Sequence, residues 1–122
     1  MKKLLIAAAA LALAPVVAFA ADVSGAWTVN ARFDSVGIKY TVTCTLAQDS
    51  TGKLTGPCKD DAGSNAATGA VDGSNVSFAY DTTYGGNPYH LTYKGALQTD
   101  GSLTGSVDAS GQAQGTFTAT KK

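Results

Sequence analysis

The chain has no glutamate, one histidine, one tryptophan and two cysteines among its 122 residues. Each scarcity removes a class of function. With His90 the only side chain that ordinarily titrates near neutrality, acid–base catalysis would have to draw on aspartates. Cys44 and Cys58 form no C-x-x-C pair and have no clustered histidines for company, so no zinc or redox centre is expected. Positive charge is scarce too. With Lys2 and Lys3 set aside in the leader described next, seven basic groups face nine aspartates, a net charge of about −2. That balance offers nucleic-acid phosphates and anionic lipid little to hold. No amphipathic helical period occurs after residue 20.

What is present begins with Met1-Lys2-Lys3, an apolar run from Leu4 to Val17, and the small-residue boundary Ala18-Phe19-Ala20. A basic start, an apolar stretch too short to span a bilayer comfortably, and an A-x-A end describe a cleaved signal peptide over residues 1–20. The remaining 21–122 suits a single domain, placed in the periplasm or secreted. In an oxidising compartment the two cysteines default to one disulfide.

From Asp22 onward, apolar and polar residues alternate. The first row holds Val23, Gly25, Trp27, Val29, Ala31 and Phe33, separated by Ser24, Ala26, Thr28, Asn30 and Arg32. Seven further rows follow, and eight strands of about nine residues with short turns account for about 100 residues. Six of the eight rows carry an inward glycine (Gly25, Gly56, Gly69, Gly95, Gly105, Gly115). Glycine in an apolar row adds no burial, but a tightly curled sheet needs it where strands bend. The expectation is an all-β, eight-stranded antiparallel up-and-down barrel. Its outward rows are polar, as in Thr41, Thr43 and Thr45, the reverse of a lipid-embedded barrel. The barrel is therefore expected to be soluble, with no membrane insertion.

Turn chemistry sets the register. Ser50-Thr51-Gly52 and Thr99-Asp100-Gly101 each place glycine third in a three-residue hairpin loop, and Gly73-Ser74 suits a two-residue turn. The first of these loops brings Asp49 opposite Lys53 and hence Cys44 opposite Cys58 on the inner face. Pro57 then falls where a donor is needed, so a bulge or frayed pairing is expected there. The segment Tyr84 to Tyr89, YGGNPY, reads as a wide turn.

Eight of the nine aromatics after residue 20 fall on inward rows, and Tyr84 alone lies in a connection. A barrel of this size is either filled by side chains or holds one small ligand. Four inward tyrosines favour a cavity, because each hydroxyl wants a partner that a dry core supplies poorly. Tyr40, Phe78, Tyr80, Tyr93 and Phe117 are the candidate ligand-binding residues. Two weaker constellations remain. His90 faces Asp81 across a strand pair, an exposed pair without a placed nucleophile. Asp60, Asp61 and Asn65 offer oxygens but also the composition of any turn. No catalytic residue, metal or cofactor is assigned.

Gly25-x-Trp27, the repeated L-T-G after hairpin turns (Leu54-Thr55-Gly56 and Leu103-Thr104-Gly105) and the closing GTFTATKK resemble small bacterial calycin-type barrels, the lipocalin and avidin neighbourhood. The resemblance implies a non-enzymatic protein holding a small apolar ligand in the barrel mouth, with Trp27 as a structural plug at the other end. Avidins line their pocket with several tryptophans, and here Trp27 stands alone, so no biotin site is expected. The chain is also similar to periplasmic inhibitors of secreted metalloproteases, which implies the alternative of a protein-binding module. A ligand-free envelope protein is the third reading.

Overall fold

The computed structural model describes residues 21–122, so the signal-peptide reading of 1–20 lies outside the described residues. Eight strands run β1 (Gly25–Phe33), β2 (Ile38–Gln48), β3 (Lys53–Asp60), β4 (Gly63–Asp72), β5 (Asn75–Tyr84), β6 (Asn87–Leu97), β7 (Leu103–Ala109) and β8 (Ala113–Lys121). Each pairs antiparallel with the next, and β1 pairs with β8 from Trp27↔Lys121 to Arg32↔Thr116, closing the barrel. Closure leaves no free sheet edge around most of the circumference. The alternation dictates the interior. Val29, Val42, Cys44, Leu54, Ala67, Val107 and Ala119 are buried, and the outward Thr41, Thr45, Thr104, Thr116, Thr118 and Thr120 are exposed. Among the described residues no helix is long and apolar enough to cross a membrane.

The inward glycines sit where strands press together. An added Cβ at Gly105 would overlap the Lys94 carbonyl oxygen and the Cα of Gly95, its cross-strand partner. The Phe117 ring fills the space above this glycine pair, its Cζ 2.8 Å from where a Gly95 Cβ would stand. Large rings thus occupy volume that missing side chains vacate. Both three-residue loops form as the turn chemistry predicts, with Gly52 at φ +88° and Gly101 at φ +89°.

The first loop sets Cys44 opposite Cys58, and the two are joined in a disulfide. The β2–β3 ladder is interrupted between Cys44↔Cys58 and Ala47↔Thr55, across Pro57, and resumes in the same register. The proline therefore frays the pairing without inserting a bulge. One turn departs from expectation. Tyr84 pairs with Asn87, so Gly85-Gly86 is a tight two-residue turn, not a wide loop. Both glycines have positive φ (+59° and +80°), which lets the chain reverse in two residues. The connection after β1 carries a feature that the alternation does not announce, a 3-10 turn over Asp34–Val36.

The two barrel ends differ. At one end Ala21 to Ser24 cross the opening. Val23 is fully buried, its amide donates to Gln48 Oε1 at 2.9 Å, and the Gln48 amide donates to Ser24 Oγ at 3.0 Å. Trp27 lies beneath, its Nε1 donating to the Val23 carbonyl at 2.8 Å. Among the described residues no such strap covers the other end. There the β4–β5 ladder stops at Thr68↔Ala79, so Gly63–Ala67 and Tyr80–Tyr84 pair with β3 and β6 but not with each other. The two hairpins diverge, bridged by Asn65 Nδ2 donating to Thr82 Oγ1 at 3.3 Å.

Candidate functional site

Inward positions of β2, β5, β6 and β8 bring Tyr40, Phe78, Tyr80, Tyr93 and Phe117 into one cluster. Phe78 and Tyr93 face each other across β5–β6, so their rings stack with centroids 4.6 Å apart and 10° between planes. Phe117 meets the Tyr93 ring edge-on at 5.3 Å and that of Phe78 at 6.2 Å. Both arrangements suit the aromatic quadrupole. The ring bodies fill the middle of the barrel.

Their hydroxyls converge. Tyr93 Oη lies 2.7 Å from Tyr40 Oη and 2.7 Å from Tyr80 Oη, a three-membered chain with Tyr93 at the centre. The Tyr93 hydroxyl thus finds both of its partners inside a packed core, although a dry core ordinarily supplies such partners poorly. Tyr93 is fully buried, Tyr80 is buried and Tyr40 is half-buried. Burial raises the pKa of all three above the ordinary 10.0; the neighbouring phenols raise that of Tyr93 further, whereas the hydrogen bond with Tyr93 partly offsets the rise in Tyr40 and Tyr80. Loss of hydration disfavours the phenolate, so the chain is neutral across the physiological range.

Above this chain the barrel opens into a cavity of about 490 Å³. Tyr40 and Tyr80 line it, with Phe33, Ile38, Tyr89 and Leu91 among the apolar walls. Its rim includes Val36 from the 3-10 turn (56% exposed) and Tyr84 from the β5–β6 turn (60% exposed). Among the described residues these two are the large apolar side chains left most open to solvent. Lys39 and Asp60 add one charge of each sign to the lining.

The five predicted residues thus divide into two roles. Tyr40 and Tyr80 face the cavity, whereas Phe78, Tyr93 and Phe117 pack as the layer below. Phe33 and Tyr89 also line the cavity, and their inward alternation was the available signal. Val36 carried none, because its position depends on the 3-10 turn. Trp27 lies toward the opposite, strapped end, where Lys121 Nζ sits 5.7 Å from its ring centroid.

Of the remaining constellations only Asp60 reaches the lining of this cavity. His90 Nδ1 and Asp81 Oδ1 are 2.7 Å apart on the outer wall, with side chains 57% and 86% exposed. The nearby Ser110 Oγ accepts from the His90 main-chain amide at 2.8 Å, which holds the turn after β7 against β6. Asp60 Oδ1 accepts from the amides of Ala62 at 2.9 Å and Gly63 at 3.1 Å, closing the β3–β4 turn. Among the described residues no three histidine, cysteine or acidic side chains gather as a metal site would require. Comparison with known protein families and with curated proteins finds no match to this chain.

Proposed function

We propose that the protein is a non-enzymatic carrier of the lipocalin-like, calycin type, which holds a small apolar molecule in the open end of its barrel. The observation that carries this reading is the cavity of about 490 Å³, walled by aromatic and aliphatic side chains and floored by Tyr40 and Tyr80. Binding sites are typically concave and mostly apolar, with a few convergent polar groups, and volumes of about 300–1,000 Å³ are usual. The asymmetry of the barrel supports the same reading: one end is strapped over Trp27 and the other opens between diverging hairpins. The disulfide fits an oxidising compartment, which supports a carrier working in the periplasm or outside the cell.

The exposed rim pair, Val36 and Tyr84, favours a second reading, a protein-binding module whose partner closes over the mouth. The two readings separate in one experiment. The protein is titrated with retinoids, quinones and fatty acids while its melting temperature and tyrosine fluorescence are followed, alongside a Tyr80→Ala variant. The carrier reading expects a ligand that raises Tm in the wild type and loses its effect in the variant. No response to any of these classes would overturn it in favour of the protein partner.

A further inference from the structure

The hydroxyl chain restricts what the cavity floor can hold. Each tyrosine hydroxyl has one proton to donate and lone pairs to accept. Tyr93 is fully buried, and among the described residues its hydroxyl bonds to Tyr40 and Tyr80 alone. An unshared buried proton is costly, so Tyr93 must donate to one of its neighbours. The 2.7 Å contact on its other side is then a bond donated to Tyr93. Three protons thus meet two internal bonds in either direction of the chain. One O–H is always left over, on Tyr40 or on Tyr80, and both residues line the cavity.

Resting on the carrier reading above, we infer that the ligand is an uncharged apolar molecule ending in a hydrogen-bond acceptor, such as a ketone, aldehyde or quinone carbonyl, seated on the spare tyrosine proton. A hydrocarbon would bury that donor unpaired. A carboxylate would carry a full charge to a floor where the described residues supply no cation: Lys39 is an exposed side chain elsewhere in the cavity lining, and Asp60 lines it with the opposite charge. The floor's hostility to charge is the same desolvation that holds the three phenols neutral.

Three probes of one skeleton test the inference by calorimetric titration: 2-acetylnaphthalene, 2-ethylnaphthalene and 2-naphthoate. The ketone is expected to bind about fivefold more tightly than the hydrocarbon, the usual yield of one neutral hydrogen bond. Naphthoate is expected to bind weakest. Tyr40→Phe and Tyr80→Phe should each keep the ketone preference, because the remaining end of the chain still carries a spare proton. Tyr40→Phe/Tyr80→Phe/Tyr93→Phe should abolish it while retaining hydrocarbon binding, and this variant leaves no orphaned hydroxyl to impair folding. Equal binding of ketone and hydrocarbon by the wild type, or tightest binding of naphthoate, would overturn the inference and leave the carrier reading standing. Failure of all three probes would overturn both.

Discussion

Replacing Tyr93 by phenylalanine should cost more stability than removing all three hydroxyls of the cluster. The single change keeps the ring, its 4.6 Å stack on Phe78 and its edge contact with Phe117. What it removes is the centre of the hydroxyl chain, and with it two hydrogen bonds of 2.7 Å. Tyr40 is half-buried and can recover a partner from water in the cavity. Tyr80 is 5% exposed and is left with a hydroxyl that has lost its one hydrogen-bond partner among the described residues. A lost bond is worth about 1 kcal/mol, and stranding a buried polar group costs about 1–3 kcal/mol. A net loss of about 2 kcal/mol follows for Tyr93→Phe, equivalent to roughly 8–16 °C in Tm for a domain of this size. In the triple variant no donor or acceptor is stranded, and replacing all partners by apolar groups of similar shape is nearly neutral. Urea denaturation of the single, double and triple variants, analysed as a mutant cycle, provides the measurement. Losses that simply add, with the triple variant the least stable, would refute the idea that the three hydroxyls act as one hydrogen-bonded unit.

Alkaline pH should destabilise the fold through the same residues. Their folded pKa values are raised above 10.0, so below about pH 10 both states are protonated and the contribution is complete. Above it, the unfolded chain releases protons that the folded chain retains, and stability falls. Urea midpoints at pH 8 and pH 11 should differ in the wild type and differ less in the triple phenylalanine variant. Reducing the Cys44–Cys58 bridge, whose ends are 14 residues apart, should cost about 3 kcal/mol, read as a lower urea midpoint with reductant. Gly105→Ala, whose Cβ meets the Lys94 carbonyl and Gly95 in the paired strand, should cost about 1–3 kcal/mol, measured by thermal melting. Asp81→Asn, by contrast, should change stability by less than about 1 kcal/mol, because both members of its pair with His90 are exposed.

Much of the architecture is local information written along the chain. A period of two assigns each residue to a face, and a glycine third in a three-residue loop sets where two strands meet. Together these place Cys44 on Cys58 before any tertiary contact is considered. The Asp81–His90 pairing is found as read, but its turn is not: a symmetric loop over Tyr84–Tyr89 would centre one residue later, and it is the tight Gly85-Gly86 turn that sets Asp81 on His90.

The sequence alone determined which side chains face inward, how neighbouring strands align and where the disulfide falls, since each depends on residues joined by one short turn. Only the tertiary structure decided which end of the barrel opens, that Val36 and Tyr84 stand at its rim, and that three tyrosines from β2, β5 and β6 share their hydroxyl protons. Those outcomes depend on curvature accumulated around the closed sheet and on ångström-scale distances between strands remote in sequence. A pattern of period two carries neither quantity.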